Sequence, residues 1–592
     1  MRRKSSVQII RLAFRISCPP ERASSPNWYV PGFTESNSPI FSSTRLVYHF
    51  QFSSSHRDHY CYIWADVGMG FVNQDLKAQR FWIFLFMAGL ITGLILRFYL
   101  ATFAKMPGHG DSAFYYTVAR NIASGRGPVI DYIVYFFSGL LPLPHYAGDF
   151  WNPSASFLIA IPMILFGKTI SNALIAPIVA GIVPAVAGYL AGKKYSKSIA
   201  VGALSGILTF FAPFQVWFSV TTEAIIFAGA FGSLAIYLMM KGAGSSRFFM
   251  AAAIFTGLAN LIRQDNILLL ATLEICILIT SLPWKTKLTI AAIAVGIHLL
   301  ILSPLIFKNL SEFHTAFPPG PAKTVFLTTY EDFHSYNKRM DWTTLRGTWG
   351  ILGIIKRRLH TASENLGQVD YFLNPIFTLL VILSLVDAVF LHRDWKKLRL
   401  LIPALLFALF EYLFYSFIAS FSGPGSLIKS LGALMPFICL LIVNFLSNYI
   451  QPKSLLVGMV VLLSIYSGYS GFEKNYTSTM YYNGVYDEYK IVKTMILDDA
   501  HMKCLDTEGI AVLARDRWDV NEGTGFKTVM VPNNDIGTII FVAQHYNAHY
   551  LLLPAERPQL DKIYTGAGPD PRFHLVGTVP NSDMKLFFLD FN

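Results

Sequence analysis

The sequence is poor in charged residues. Asp, Glu, Lys and Arg together make up 14% of its 592 residues, whereas soluble domains carry roughly a quarter. Hydrophobic residues make up 53% and the mean hydropathy is +0.44. This composition excludes an ordinary soluble globular protein and favours a chain that crosses a membrane many times.

Cysteine is also scarce, and the five cysteines have no spacing typical of a metal or redox site. No disulfide framework is implied. The sequence has no Walker loop, no dinucleotide-binding glycine pattern after a strand, no His-Glu-x-x-His and no Gly-x-Ser-x-Gly elbow. Without a nucleotide site, an enzyme that acts outside the membrane would need a donor substrate activated elsewhere. A sugar linked to a lipid phosphate is such a donor.

The excess of basic residues gives a net charge of +12. These residues are spread over short loops between apolar runs and do not form one patch, which argues against nucleic acid as a partner. They follow the positive-inside pattern of membrane proteins. The cytoplasmic loops are predicted to contain Lys77 and Arg80, Lys193–Lys197, Lys241 and Arg247, Lys285 and Lys287, and Arg393–Arg399.

Hydropathy predicts an α-helical polytopic membrane protein with about eleven spans, each long enough to cross a hydrocarbon core of about 30 Å. The predicted spans are residues 81–103, 170–192, 198–218, 222–241, 247–263, 265–282, 286–306, 371–391, 398–419, 427–447 and 453–471.

The loop charges place the amino end inside and residues 104–170, 307–370 and 472–592 outside. Ser154–Phe166 is apolar but short for a span, and counting it as one would invert every later loop. We therefore expect it to lie as a helix against the outer surface.

The predicted domains are an amino-terminal extension (1–78) that is disordered or a mis-called start, a transmembrane domain (79–471), and a small external α/β domain (472–592). Short β-rich runs mark the last domain: Gly509–Ala514, Thr538–Val542, His549–Leu553 and Met584–Leu589.

Four acidic residues stand in or beside the predicted outer loops. Asp111, Asp131 and Asp149 lie in the first loop, and Glu223 lies at the outer edge between the third and fourth spans. An acid at the edge of a span is costly to bury and tends to mark a functional cavity. The alternative for Asp111 is that it caps the helix that follows, and for Glu223 that it favours a helix start through the dipole.

External basic residues are fewer. Arg263 lies in a polar break between two spans, and Lys429 lies at the outer end of the tenth. Each of them either reaches to lipid headgroups or binds a fixed anion such as a phosphate.

Several segments resemble the GT-C superfamily of integral-membrane glycosyltransferases, in the branch of protein mannosyltransferases and aminoarabinose transferases that use polyprenyl-phosphate sugars. The resemblance covers roughly residues 81–450. It rests on the segments 110–120, 124–127, 149–153, 165–167 and 222–224. The Trp-Trp-Asp signature of oligosaccharyltransferases is absent, and Asp516-Arg517-Trp518-Asp519 does not replace it.

The resemblance implies that Asp111 is the catalytic base, that Glu223 is a second catalytic acid, and that Arg263 and Lys429 bind the lipid phosphate. Asp149 is a further candidate for substrate binding. The implied reaction is an inverting transfer from a polyprenyl (dolichyl or undecaprenyl) phosphate sugar to a glycan, lipid or protein acceptor on the outer face. The membrane would be the plasma membrane in a prokaryote. We expect the carboxylates of Asp111 and Glu223 to lie within about 12 Å of each other.

Three alternatives stay open at this point. A flippase or polymerase of lipid-linked glycans would also need a lipid groove. A multi-pass transporter would predict paired halves with broken helices, and the sequence shows no internal repeat. A scaffold would give the acids no reason to converge. No cofactor is certain, and clustered external acids could hold a divalent cation.

Overall fold

The computed structural model describes the greater part of the chain. The described residues are 14–17, 40–42, 45–54, 57–65, 69–242, 245–368, 373–392, 395–419, 424–554, 557 and 559–591. By its internal contacts the chain divides into two units, residues 1–84 and 85–592.

The first unit contains four strands and the beginning of the first helix. The strands form one antiparallel sheet in the order β1-β4-β3-β2. They are β1 (Phe14–Ser17), β2 (Ile40–Ser42), β3 (Arg45–Ser54) and β4 (Arg57–Ala65). The interpretation of residues 1–78 as a disordered or mis-called extension stays a prediction.

The chain from Met69 to Met502 is mostly helical. Its first part contains α1 (Met69–Ala101), α2 (Gly110–Ala123), α3 (Ser154–Phe166), α4 (Ile170–Ala173), α5 (Ile175–Ala180), α6 (Ile182–Ser196), α7 (Ile199–Phe211), α8 (Pro213–Phe218), α9 (Ile225–Gly242), α10 (Ser246–Ile262) and α11 (Ile267–Leu278). The second part contains α12 (Trp284–Phe313), α13 (Pro319–Thr324), α14 (Trp342–Gly367), α15 (Pro375–Val386), α16 (Trp395–Leu413), α17 (Pro424–Ser430), α18 (Met435–Tyr449) and α19 (Lys453–Met502).

Each predicted span coincides with helix, and the protein is a polytopic membrane protein. Among the described residues, seven helices are long and apolar enough to cross a bilayer. They are Leu76–Ala101, Ile170–Ser196, Ile225–Gly242, Trp284–Phe313, Lys397–Ile418, Ser426–Tyr449 and Lys453–Met502. The other predicted spans fall on shorter helices, because proline, glycine or a polar pair ends them early.

Helix α3 has the bounds that the sequence predicts, Ser154–Phe166. Several of its apolar side chains are exposed, namely Phe157, Ile161, Ile164, Leu165 and Phe166. An exposed apolar face on a helix of 13 residues is what a helix lying against lipid requires. Its place at the outer surface stays a prediction.

The carboxyl-terminal part is a small α/β region. Its strands are β8 (Ala511–Ala514), β9 (Lys527–Met530), β10 (Tyr550–Leu553), β11 (Phe573–Thr578) and β12 (Lys585–Leu589), and its helices are α20 (Arg517–Thr524), α21 (Ile536–His545) and α22 (Asp561–Thr565). Strands β8, β9 and β10 are parallel, and β11 and β12 are antiparallel to their neighbours.

The sheet of this region has a sixth strand from the first loop. Besides β5 (Val129–Ile130) and β7 (His145–Tyr146), which pair with each other, the loop contains β6 (Tyr132–Ile133). Strand β6 pairs in parallel with β9, so the order is β11-β12-β10-β8-β9-β6. The first loop and the carboxyl-terminal α/β region are thus joined through one sheet.

Two details differ from the sequence-based expectation. The run Thr538–Val542 was expected to be β-rich, and this is wrong because it lies inside helix α21. Asp535 caps that helix by accepting a hydrogen bond from the backbone of Thr538 at 2.9 Å, and a cap outweighs the modest strand propensity of β-branched residues. Helix α19 also continues unbroken to Met502, past the boundary expected at 471. The division of the chain into the three predicted domains stays a prediction.

The predicted second outer loop is partly helical and contacts the α/β region. It contains α14 and a 3-10 turn, Tyr330–His334. The backbone of Asn533 donates to the carbonyl of His334 at 2.9 Å, and the backbone of Tyr336 donates to the side chain of Asn534 at 2.8 Å. These bonds fix the polar aromatic tract of the loop against the end of β9.

Candidate active site

The site begins at the amino end of α2. His109 is the N-cap residue, and its Nδ1 accepts a hydrogen bond from the backbone of Asp111 at 3.3 Å. Asp111 therefore does not cap the helix itself; it lies in the first turn, and its carboxylate accepts from Lys429. The side chain of Asp111 is partly exposed, so it can reach a substrate.

Glu223 lies beside α2 because of a neighbouring hydrogen bond. The hydroxyl of Thr222 donates to the backbone carbonyl of Ser112 at 2.6 Å, and this bond is buried. Glu223 precedes helix α9 and is only 1% exposed. The residues that approach it therefore decide whether it can stay charged.

Lys429, near the end of α17, joins the two acids. Its Nζ lies 2.7 Å from Oδ2 of Asp111 and 3.0 Å from Oε2 of Glu223. The expectation that the two carboxylates lie within about 12 Å is met, since both contact one nitrogen atom. An ammonium group has three donors. Among the described residues these two carboxylates approach the ammonium of Lys429, which therefore keeps donor capacity for a further acceptor.

His109 is the second partner of Glu223, through Nε2 and Oε1. Burial alone would raise the pKa of Glu223, but His109 and Lys429 outweigh burial and lower its pKa from 4.5 to about 2. Glu223 is thus a permanent carboxylate over the physiological range, and it holds the ammonium of Lys429 in place.

A second ionic cluster lies next to the first. Arg263 pairs with Asp265 at 2.6 Å, and Asp265 accepts from the hydroxyls of Tyr415 and Ser430, both at 2.6 Å. Arg263 also donates to Ser430 at 3.3 Å. Since Ser430 follows Lys429, this cluster fixes the end of the helix that carries the lysine.

Tyr115 stands between the two clusters. Burial raises its pKa; the positive charge of Arg263 opposes this, and the negative charges of Asp111, Glu223 and Asp265 add to it. The charges of both clusters therefore act on the pKa of the same buried phenol. Arg263 and Lys429 thus lie in adjoining clusters, and their binding of a phosphate stays a prediction.

The structure does not bring Asp149 into this region by any ion pair among the described residues. Asp149 is 3% exposed and lies 3.9 Å from Nε2 of His145. The loop that follows Asp149 is held beside the second cluster, because Gln264, between Arg263 and Asp265, donates to the carbonyl of Phe150 and to the side chain of Asn152, both at 3.1 Å. Its role in substrate binding stays a prediction.

Asp131 also lies apart from this region. It forms a paired, partly exposed contact with Arg126 at 2.8 and 2.9 Å.

The fit of a divalent cation can be judged from the donor set. The described residues contain no group of three or more His, Cys, Asp or Glu side chains placed to hold a metal ion. Asp111 and Glu223 both face Lys429, and an ammonium between two carboxylates does not make a metal-ligand set. We therefore derive no step through a metal.

Sequence reasoning missed three residues of the site. His109 had a weak signal, a polar residue directly before a helix with glycine on both sides. Trp518 packs so close to Gly110 that a Cβ there would lie 2.0 Å from its ring. Asp265 lies two residues after Arg263 in the sequence, and only the structure shows that the two side chains form an ion pair.

Comparisons with solved structures find similar chains. The crystal structure of ArnT from Cupriavidus metallidurans bound to undecaprenyl phosphate has a TM-score of 0.49 and 14% identity, over 86% of this chain and 98% of that one. The crystal structure of the Archaeoglobus fulgidus oligosaccharyltransferase, tethered to an acceptor peptide, has a TM-score of 0.50 and 13% identity, over 81% of this chain and 70% of that one. No family model and no curated protein matches the sequence.

The fold of this chain is the GT-C fold, the fold of that oligosaccharyltransferase. At this level of identity the likeness shows the fold alone. The chemistry has to be argued from the site.

Proposed function

We propose that this protein is an inverting glycosyltransferase that moves a sugar from a polyprenyl-phosphate donor to an acceptor at the outer face of the membrane. The observation that supports it most is the ammonium of Lys429 between the carboxylates of Asp111 and Glu223, at the edge of the spans in a GT-C fold. Such a site has a base and a cation side by side, which is what displacement of a phosphate by an acceptor requires.

Asp111 is the proposed base. An acceptor hydroxyl or amine attacks the anomeric carbon of the sugar and gives its proton to the Asp111 carboxylate. The bond from the anomeric carbon to the phosphate oxygen breaks, and its electron pair stays on the phosphate. Asp111 suits this role because it is the more exposed of the two carboxylates, with 29% of its side chain exposed against 2% for Glu223.

Lys429 is the proposed contact for the leaving phosphate. Its ammonium can also donate to a phosphate oxygen while Asp111 and Glu223 hold it in place. Glu223 is then a positioning residue for Lys429 rather than a second base, since it is buried beneath the lysine and His109.

Arg263 is the proposed second cation of the donor site. Because Arg263 forms an ion pair with Asp265, the two side chains together carry almost no net charge. A phosphate would therefore gain hydrogen bonds from Arg263 more than net charge.

The orientation follows from the basic loops. We propose that the amino end faces the cytoplasm and that the polar region of Asp111, together with the carboxyl-terminal α/β region, faces outward. The donor lipid would then reach the site from the outer leaflet and the acceptor from outside.

The direct test uses the purified full-length protein in vesicles with radiolabelled polyprenyl-phosphate sugars and a panel of glycan, lipid and protein acceptors. We expect label to move to an acceptor, with the opposite anomeric configuration in the product as read by NMR. Movement of intact donor across the bilayer without any glycosidic product would favour a flippase. Retention of configuration would contradict the single displacement.

A further inference from the structure

A group of cationic side chains lies in the carboxyl-terminal α/β region, separate from Lys429. We call Arg515, Arg517, Arg557 and His334 the arginine cluster. Arg515 and Arg517 come directly after β8, Arg557 follows β10, and His334 ends the 3-10 turn of the second loop. Burial, followed by the charges of Arg517, Arg557 and Arg515, lowers the pKa of His334 to about 3. Strand β8 pairs in parallel with both β9 and β10, and the backbone of Asn533, just after β9, donates to the carbonyl of His334. The four residues therefore lie at one edge of the sheet, where these parallel strands end.

Arg517 is the buried member of the arginine cluster. It is 1% exposed, and its guanidinium carbon lies 3.6 Å from the ring centre of Trp518 and 4.7 Å from that of Tyr135. Nη1 donates to the carbonyl of Arg515 at 3.0 Å. Nε and Nη2 are buried and meet no hydrogen-bond partner at good geometry among the described residues, where the phenol of Tyr135 is the polar group that interacts with this guanidinium. A buried charged donor without a partner is costly unless something else satisfies it.

Two other members of the arginine cluster also have buried nitrogen atoms that lack a hydrogen-bond partner among the described residues. Nη2 of Arg557 and Nδ1 of His334 are also buried without a hydrogen-bond partner in the described part of the chain. Burial, and then the charge of Arg515, lowers the pKa of Arg557 to about 10.

Three acids act on the arginine cluster. Asp516 attracts Arg517 and Arg557, Glu331 attracts Arg557, and Asp519 is attracted by Arg517. Burial, followed by the charge of Asp516, raises the pKa of Asp519 well above its usual value. Among the described residues, buried donors of Arg517 and Arg557 thus stay without a hydrogen-bond partner although these acids lie nearby.

The arginine cluster is connected to the candidate active site through aromatic rings. Trp518, which lies under Arg517, packs against Gly110, the residue before Asp111. Besides burial, which raises it, the pKa of the Tyr135 phenol is lowered by the charge of Arg517 and raised by the charge of Asp111. A ligand bound by the cluster would thus lie on the side of Asp111 that adjoins the carboxyl-terminal α/β region, while Lys429 contacts Asp111 from a membrane helix.

We propose that the arginine cluster binds an oxyanion group, a phosphate or a carboxylate, on the acceptor substrate. This proposal rests on the proposed function, since it places the acceptor against the base. Guanidinium groups suit this ligand because their fixed fork donates two parallel hydrogen bonds to an oxyanion. The unused Nε and Nη2 of Arg517 are one such pair.

The first test measures binding without catalysis. The full-length protein in detergent is titrated with inorganic phosphate by calorimetry, as wild type, as Lys429→Ala, which removes the proposed contact of the donor phosphate, and as Lys429→Ala combined with Arg517→Gln or Arg515→Gln. We expect a site that persists in Lys429→Ala. Adding Arg517→Gln should weaken it about tenfold, and adding Arg515→Gln, whose side chain is exposed, should weaken it several-fold. Arg572→Gln, which removes an arginine paired with Asp570 in the same region, is the matched control and should bind as wild type.

Two results would overturn the proposal: no phosphate binding by Lys429→Ala, or binding to Lys429→Ala that neither added cluster substitution weakens. If Arg517→Gln does not fold, Arg515→Gln decides alone. Because this test needs no transfer activity, its outcome stands even if the proposed function fails.

The second test uses transfer activity and separates the two possible sources of the oxyanion. Acceptors that carry a phosphate, a carboxylate or a neutral group at the same position are compared in wild type and Arg515→Gln. The proposal predicts that the variant raises KM several-fold for one charged acceptor and leaves KM for the donor unchanged. An equal effect on the neutral acceptor, or an effect on the donor alone, contradicts it.

Discussion

At the scale of single residues, the site is organised by one lysine between two acids of different exposure. The sequence could identify Asp111, Glu223 and Lys429 as candidates, because charge at the edge of a span is unusual and therefore informative. It could not give their pairing, since Asp111 and Lys429 are 318 residues apart in the chain. The roles of these residues stay predictions, and each can be tested separately.

The first prediction concerns Glu223 and pH. Its pKa is lowered from 4.5 to about 2 in the folded protein, so the folded state binds fewer protons than the unfolded state between these values. The stability that the carboxylate contributes is therefore fully present above pH 4.5 and is lost as the pH falls toward 2. We expect Glu223→Gln to unfold at a lower temperature than wild type at neutral pH, with a difference that shrinks below about pH 4.5.

Thermal unfolding in detergent from pH 7 to pH 3 measures this difference. Glu508→Gln, at an exposed position, is the control and should show no such trend. A difference between wild type and Glu223→Gln that is the same at pH 7 and pH 3 would argue against the ion pairs with His109 and Lys429.

At the scale of elements, the contact between α2 and α20 fixes where Asp111 stands. A Cβ on Gly110 would lie 2.0 Å from the ring of Trp518, and the ring is itself held between Arg517 and Trp151. The sequence shows a glycine before Asp111 but gives no sign of the tryptophan against it. The pattern of apolar residues predicted the helices well. It carries no information about a contact between residues some 400 positions apart, or about the pairing of strand β6 with the carboxyl-terminal sheet.

The second prediction follows from this contact. Gly110→Ala should destabilise the protein by about 1–3 kcal/mol through overpacking and should lower transfer activity by displacing Asp111. The double variant Gly110→Ala/Trp518→Leu should recover part of the stability, because the smaller side chain leaves room for the methyl group.

Gly484→Ala in helix α19 is the control for the second prediction. Nothing lies within 4 Å of a Cβ at that position, so it should be neutral or stabilising by about 0.4–1 kcal/mol. Unfolding temperatures and turnover of the four proteins provide the comparison. Equal losses in Gly110→Ala and in the double variant would mean that Trp518 does not limit the space at Gly110.

At the scale of the whole molecule, the sequence predicted the polytopic architecture and the terminal α/β region, because long apolar runs and positive loops are strong signals. It did not show that the first loop adds a strand to the terminal sheet.

The third prediction concerns orientation. With Cys18, Cys61 and Cys504 replaced by serine, single cysteines are placed at Lys194 and Thr565, both exposed. A membrane-impermeant maleimide added to intact cells should modify position 565 and spare position 194 until the cells are opened. Modification of position 194 but not position 565 would mean that the orientation is inverted.

The most direct test of the central claim, that Asp111 accepts the proton of the acceptor, is the turnover of Asp111→Asn with a polyprenyl-phosphate sugar. The amide keeps the shape of the side chain but cannot take the proton, so turnover should fall by about 10²–10⁴-fold while KM for the donor changes little. Asp131→Asn, which alters the exposed pair with Arg126 in the same loop, should keep wild-type turnover. Full turnover in Asp111→Asn would contradict the account.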